Sequence, residues 1–440
     1  MTKGKIMPSM LLFSAPMILG NLLQQCYNIA DTLIVGKLVG SDALAAVGSS
    51  FTLMTFLTSV LLGLCMGSGA YFSIRFGEKD EKGLKKGILA SFLLILSITV
   101  ILNCAAFLLL DKVKAFMNVP EEIWGYMRDY LAVIFAGIFA VFLYNYFASL
   151  LRSVGNSLVP LIFLAVSALL NIGLDLLFVL VFDRGVKGAA EATVIAQYVS
   201  GAGISAYSLK RLPYLKFKKG EVKITGDCLR KITGFTLLTC VQQSVMNLGI
   251  LLVQGIVNGF GPAVMTAFAA AVKIDAFAYM PVQDFGNAFS TFIAQNYGAK
   301  QPERIRKGLK GAALVSVSFC AIISAAVCIF ARPLMLMFVK AEETAIIAEG
   351  VRYLRTEGAF YFGIGCLFLL YGFYRAVGKP RMSVVLTVFS LGTRVALSYI
   401  LSAIPEIGVK GIWWSIPIGW LLADAAGIIY YAASKKKLLQ

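Results

Sequence analysis

The sequence predicts an all-helical membrane protein, with twelve transmembrane helices in two pseudo-symmetric six-helix lobes. Three observations lead there: an apolar composition divided into spans, a lopsided distribution of basic residues between alternate connections, and an internal repeat at half the chain length. Hydrophobic residues make up 59% of the 440-residue chain and charged ones 14%, against roughly 25% charged in a soluble domain. A soluble chain this apolar would have too little polar surface to stay in solution.

Long stretches poor in charge recur, each near the roughly 20 residues that cross a bilayer's hydrocarbon as a helix. In chain order they cover about 10–36, 43–72, 84–110, 126–150, 158–182, 186–209, 230–257, 262–294, 308–338, 351–376, 381–404 and 410–433. The first is too long for the apolar core of a signal peptide and lacks a small-residue cleavage site, so it is expected to be retained as a span. Residues 43–72 and 262–294 are long enough to tilt, kink or continue past the membrane. The sixth and seventh spans are joined by the most basic connection, 209–229, with Lys210, Arg211, Lys216, Lys218 and Lys219. It divides an N-terminal lobe, 1–208, from a C-terminal lobe, 230–440.

The net charge of +17 suggests nucleic acid until its placement is counted. With the N-terminus on the cytoplasmic side, the cytoplasmic connections hold 27 Lys and Arg and the opposite ones 8. That is the positive-inside bias, and it places both termini in the cytoplasm of a multi-pass protein of the inner (plasma) membrane. The basic loops set topology and meet anionic lipid headgroups, and no nucleic-acid partner is expected.

Two short phrases occur twice. Arg152-Ser-Val-Gly155 returns as Arg375-Ala-Val-Gly378, and Gly185-Val-Lys-Gly188 as Gly408-Val-Lys-Gly411, each 223 residues on. A looser pair, Gly77 with Lys86-Gly87 and Gly298 with Lys307-Gly308, is offset by 221. Self-similarity at this period marks a duplicated unit. Six spans per half is an even number, so the halves enter the membrane alike and a pseudo-two-fold axis along the membrane normal is expected.

Absences exclude other functions. The chain has no histidine, the commonest general base and metal ligand, and no G-x-x-x-x-G-K-[ST] loop for ATP. Seven of eight cysteines fall in spans, with Cys228 in the linker and no C-x-x-C, which reads as small buried hydrophobes. A membrane-embedded enzyme or receptor would need a nucleophile–base pair or a metal constellation that the sequence does not offer.

An ionisable group inside a span is costly and therefore a functional candidate. Asp31 ends a stripe of Asn21, Gln24, Gln25, Asn28 and Asp31 in the first span, whose spacings of three and four lie on one helical face. Asn171 and Asp175 are an i, i+4 pair in the fifth span, and Thr193 stands among apolar residues in the sixth. Counted from the span ends at about 1.5 Å per residue, Asp31, Asp175 and Thr193 all lie about 8–11 Å below the outer boundary. Two carboxylates, an amide and a hydroxyl at one depth offer hard oxygen ligands for a cation, or with one carboxyl protonated a proton site. The bland alternative is polar glue between helices. The duplicate half does not copy the acids: Arg394 and Ser398 stand opposite Asn171 and Asp175.

Lys273 and Arg394 fall near mid-depth, with Asp275 and Asp284 available to neutralise them; pairing and substrate contact are both open. Pro16 interrupts the first span and is a static bend or a hinge. Gly63-x-x-x-Gly67 reads as close helix packing. Tyr27, Tyr144, Tyr146, Tyr198 and Tyr279 are candidates to line a cavity for flat organic compounds.

The stretch Gln24-Gln25-x-Tyr27-Asn28-x-x-Asp31-x-x-x-x-Gly36 with Ala43-Leu-Ala-Ala-Val-Gly48 resembles the first-span region of multidrug and toxic compound extrusion (MATE) transporters. Gln295-Asn296-Tyr-Gly298-Ala and both Arg-x-Val-Gly elements are similar to that family too. The resemblance covers essentially the whole chain and includes the two-lobe, twelve-span plan. It implies a secondary antiporter that exports organic or drug-like compounds by alternating access, with no cofactor and with H⁺ or Na⁺ as the coupling ion. Asp31, Asn171, Asp175 and Thr193 match the family branch that carries its coupling residues in the N-terminal lobe, and the same four would be the metal ligands if the ion is Na⁺. The sister branch's acidic site in the C-terminal lobe is not matched, because Lys273 and Arg394 stand at mid-depth there. Substrate-cavity candidates are Gln24, Tyr27, Asn28, Tyr144, Lys273, Asp284 and Arg394. Partners are membrane lipid and small organic substrates, and the chain is expected to be monomeric. A flippase for lipid-linked oligosaccharide or polysaccharide in the same superfamily is the alternative that the C-lobe charges keep open.

Overall fold

The computed structural model describes residues 1–117, 119–216 and 224–438, so residues 217–223 of the expected linker lie outside the described residues. In chain order the helices are α1 (Ile6–Leu38), α2 (Ser41–Gly77), α3 (Glu81–Leu108), α4 (Leu110–Met117), α5 (Glu121–Ala136), α6 (Ile138–Ser153), α7 (Leu158–Asp175) and α8 (Gly185–Arg211). They continue as α9 (Gly226–Asn258), α10 (Pro262–Gly298), α11 (Pro302–Leu336), α12 (Thr344–Gly358), α13 (Tyr361–Ala376), α14 (Pro380–Ser402) and α15 (Val409–Leu438). A π-helical turn, Leu176–Val181, prolongs α7.

A helix covers every expected span, and α2 and α10 run to 37 residues each, as the long apolar stretches required. Among the described residues nine helices are long and apolar enough to cross a membrane. The pairs α5–α6 and α12–α13, bent by 44° and 50°, are each long and apolar enough to serve together as one further span. The remaining span, 186–209, falls on α8, which is rich in Gly, Ala and Ser and less apolar than the nine. It packs against α5, α6 and α7, and a helix so surrounded needs little lipid-facing surface.

Local chemistry sets the ends. Asp80 caps α3 by accepting a 2.9 Å bond from the Gly83 amide, while Pro262, Pro302 and Pro380 open α10, α11 and α14, where a missing N–H costs nothing. The repeated phrases keep their glycines for the same reason twice. Gly155 and Gly378 sit at φ 95° and 74°, and Gly185 and Gly408 both at 54°, a region that side chains with a Cβ avoid.

The chain forms two compact units, Ala15–Cys240 and Met1–Ser14 with Val241–Gln440. They depart from the chain-order division at 209–229 in two places. The first turns of α1 belong with the C-terminal helices, and α9 up to Cys240 belongs with the N-terminal ones. In the first unit an aromatic cluster of Phe72, Phe92, Phe142, Tyr146 and Phe147 forms the core. Tyr146 is 1% exposed and donates to the Ile88 carbonyl at 2.7 Å. It is a core residue, which corrects its candidacy for a cavity.

In the second unit the segment before α1 is held mainly by Arg304, with Gln295 accepting from the Met1 ammonium at 3.0 Å. Arg304 donates to the carbonyls of Met1 (3.1 Å), Lys3 (3.4 Å) and Gly4 (3.0 Å), and its Nε to Asn296 Oδ1 (3.1 Å). Charge-assisted bonds of this kind contribute about 1.5–3 kcal/mol each before solvent screening. Arg304→Ala is therefore expected to raise amide exchange in residues 2–8 by about tenfold or more while leaving α10 protected, as hydrogen-exchange mass spectrometry would read.

Candidate functional site

The polar residues singled out in the N-terminal half converge within the unit Ala15–Cys240. Asp31 comes from α1, Asn171 and Asp175 from the last turns of α7, and Thr193 from α8. Asn171 Nδ2 donates to Thr193 Oγ1 at 3.2 Å. Asp31 and Asp175 are close enough to act on each other electrostatically. Asp175 is completely buried, Asn171 2% exposed and Asp31 9%. Asp31 Oδ1, Asn171 Oδ1 and both carboxyl oxygens of Asp175 are buried with no hydrogen-bond partner. Four orphaned oxygens in one place are acceptors without donors, a surplus that a proton or a small cation would satisfy. Asp175 is followed at once by the π-helical turn, a widened geometry common at functional positions.

Tyr130 of α5 completes the cluster, and sequence reasoning missed it. It is 8% exposed and lies within electrostatic range of Asp31, Asp175 and Tyr27. The depth count would have found it, since it stands about 4 residues inside the outer end of its span. Tyr27 is half-buried beside Gln24 and acts on Asp31 and Tyr144. Tyr144 donates to the Pro160 carbonyl at 3.0 Å. Gln24 is exposed, and Asn28 is half-buried and donates to Gln25 Oε1 at 3.4 Å. Pro16 lies inside an unbroken α1, two residues past the point where that helix passes from one unit to the other.

The same register of the C-terminal half is closed. Ser398, which stands where Asp175 would, is fully buried, and its hydroxyl lies 2.6 Å from that of Ser415. The acids of this half gather elsewhere. Asp275 of α10, Glu357 of α12 and Arg394 of α14 line one cavity with Tyr279, Tyr353 and Trp420. Asp275 accepts a hydrogen bond from Tyr361 and acts electrostatically on Glu357 and Arg394. Glu357 was missed in the sequence, although an acid inside the span 351–376 was signal enough. Of the two mid-depth cations, Arg394 is buried in this cavity beside Asp275, whereas Lys273 is exposed and does not line it. Depth alone does not say which face of a helix a residue takes. Asp284 is buried further along α10, outside the lining. Tyr279 lines the cavity as expected, and Tyr198 instead donates to the Ala136 carbonyl at 2.8 Å.

The MatE family model matches the chain twice, over residues 16–177 and 239–400. The chain belongs to the MatE family. The two matches are themselves 223 residues apart (239 against 16, and 400 against 177), the offset of the repeated phrases, so each half is one copy of the MatE unit. This MatE chain is 28% identical over 449 residues to the probable multidrug resistance protein YpnP of Bacillus subtilis, covering 100% of this chain and 98% of the relative. It is 25% identical to the multidrug export protein MepA of Staphylococcus saprophyticus, with 98% and 94% covered. Its fold is that of a MOP superfamily transporter from Pyrococcus furiosus whose binding pocket is described as reversed in polarity (TM-score 0.93, 24% identity, 100% and 98% covered). Like other MatE proteins it is a multi-pass membrane transporter and not an enzyme.

Proposed function

We propose that this MatE chain is a secondary active antiporter that exports organic, drug-like compounds in exchange for H⁺ or Na⁺, by alternating access. The observation that carries the coupling is the set of four buried oxygens without partners on Asp31, Asn171 and Asp175. Two acids held in one low-dielectric place strongly favour taking up a positive charge, since both cannot ionise there without it. If that ion is Na⁺, Asp31, Asn171, Asp175 and Thr193 supply hard oxygen ligands; if it is H⁺, the Asp pair holds it. Ion uptake and substrate release are linked reciprocally, so an ion that binds from outside weakens substrate there and is itself released as substrate binds from inside. The relatives' names, a multidrug resistance protein and a multidrug export protein, favour organic cargo over a lipid-linked oligosaccharide.

The deciding experiment is efflux from proteoliposomes driven separately by a pH gradient and by a Na⁺ gradient, against a panel of organic dyes. One gradient is expected to drive transport at a rate well above protein-free vesicles. Efflux that ignores both gradients would refute antiport. The excess of basic residues in alternate connections supports a topology with both termini on the cytoplasmic side. Single-cysteine labels at 79–86, 214–223, 300–307 and the tail are expected to react only from that side, and reaction of any one of them from outside would overturn the span order.

A further inference from the structure

Each copy of the MatE unit ends its fourth span with an arginine, Arg152 or Arg375, and only one of the two is held. Arg375 is 5% exposed; its Nη2 donates to Asn287 Oδ1 at 3.0 Å and its Nε to Ser290 Oγ at 3.4 Å. Both acceptors lie on α10, which matches α2 at an offset of 221 (262 against 41, and 298 against 77). Met66 and Gly69 therefore stand where Asn287 and Ser290 would (287 against 66, and 290 against 69), and neither side chain offers an oxygen. Beside Gly69 the hydroxyl of Ser149 is turned onto the Cys65 carbonyl at 2.7 Å. Arg152 is left half-buried, with its Nε enclosed and without a hydrogen-bond partner. An enclosed N–H without an acceptor is rare in native proteins and asks for a reason.

Arg152 stands at the end of a line of polar groups within the unit Ala15–Cys240. It lies within electrostatic range of Tyr144, Tyr144 of Tyr27, and Tyr27 of Asp31. Tyr144 is drawn toward this end by its 3.0 Å bond to the Pro160 carbonyl in the first turn of α7. With the N-terminus cytoplasmic, the last turn of α6 is also cytoplasmic, so the line leads inward from the ion site. We propose that Arg152 is a guard charge at the inner end of this line, which keeps H⁺ or Na⁺ bound at Asp31 and Asp175 from draining into the cytoplasm without cargo exchange. A cation moving inward past Tyr144 must approach a fixed positive charge in a partly dehydrated place, where like charges repel far more than in water. A guanidinium suits the task because it neither loses its charge nor relays a proton at physiological pH. Ligands such as Asn287 and Ser290 would hold that charge aside, and Met66 and Gly69 leave it facing the line. The other copy carries Arg394 and Ser398 at the register of Asn171 and Asp175, so it has no matching ion to guard, and its arginine is absorbed into packing. The inference rests on the antiport reading and names the residue that keeps the exchange tight.

The test is ion leak through the full-length chain in proteoliposomes with no organic cargo present. Proton entry is followed with trapped pyranine under a pH gradient, and sodium entry with ²²Na⁺ under a Na⁺ gradient. Arg152→Gln is expected to admit the coupling ion about tenfold or more faster than the wild type, because the repelling charge is gone. Arg152→Lys keeps a positive charge at that place and is expected to stay near the wild-type rate. Adding Asp31→Asn to Arg152→Gln is expected to return entry to the wild-type rate, since the leak passes through the ion site. Wild-type entry of both ions in Arg152→Gln would overturn the proposal, and so would a leak that Asp31→Asn leaves undiminished. If Arg152→Gln is not recovered as a monodisperse protein, Met66→Asn supplies the carboxamide that holds Arg375 and draws the charge aside. It is then expected to raise ion entry severalfold, and wild-type entry in that variant would overturn the proposal as well. Leak is read without cargo and antiport is read as gradient-driven cargo efflux, so either one can fail without the other.

Discussion

Asp175→Asn and Asp31→Asn, each reconstituted alone, are expected to lose gradient-driven efflux down to the level of protein-free vesicles. The substitution removes a charge at nearly constant volume, so packing around α1 and α7 is kept while the site's ability to switch between charged and neutral is lost. Asp175 is the more severe case, since both its oxygens are buried and unpartnered, whereas only one oxygen of Asp31 is. Tyr130→Phe removes only a hydroxyl from the same cluster, so it is expected to slow coupling without abolishing it. The control readouts are amount of membrane-inserted protein and its melting temperature. Full efflux by both Asn variants at normal protein levels would move coupling out of the N-terminal half altogether.

Gly67→Val is expected to prevent folding of the unit Ala15–Cys240. A Cβ at Gly67 would stand 2.3 Å from the Phe235 carbonyl oxygen and 2.7 Å from Thr236 Cα, and one at Gly63 would stand 2.6 Å from Cys240 Cα. The obstructing atoms are backbone, which cannot rotate away as a side chain can. Overpacking against side chains costs about 1–3 kcal/mol, and against backbone the cost is expected to be at least about 3 kcal/mol. Gly63-x-x-x-Gly67 is thus the seam at which α2 and α9 touch, as its spacing suggested. Gly234→Ala serves as the control, because nothing lies within 4 Å of a Cβ there. Recovery of Gly67→Val in normal yield, with the wild-type melting temperature, would contradict this account of the seam.

The spans were legible because length and apolarity are local properties, and lipid imposes them on nearly every crossing helix. Where other helices replace lipid, as around α8, the apolar signal fades and only position in the series identifies the span. The breaks at Gly137 and at Ala359–Phe360 were not legible, since an apolar run reads the same whether straight or bent. The Asp31, Asn171, Asp175 and Thr193 group was legible because depth can be counted along each helix and ionisable residues in spans are rare. Tyr130 escaped because tyrosine is ordinary in spans, and Lys273 was misplaced because depth carries no information about rotation around the helix axis. The passage of α1 and α9 from one compact unit to the other had no sequence signature. It depends on contacts between residues far apart in the chain.

Within the unit Ala15–Cys240, α1 runs unbroken from Pro16 to Asp31. The segment just before α1 is tied to Arg304, and Asp31 belongs to the unit Ala15–Cys240. The arm from Pro16 to Asp31 is about 22 Å long at 1.5 Å per residue. A flexure of about 10° at the proline would carry the carboxylate through roughly 4 Å, enough to make or break its approach to Asp175. If an ion binds at Asp31 as proposed, the carboxylate it acts on and the proline share one unbroken helix, with no loop or linker between them.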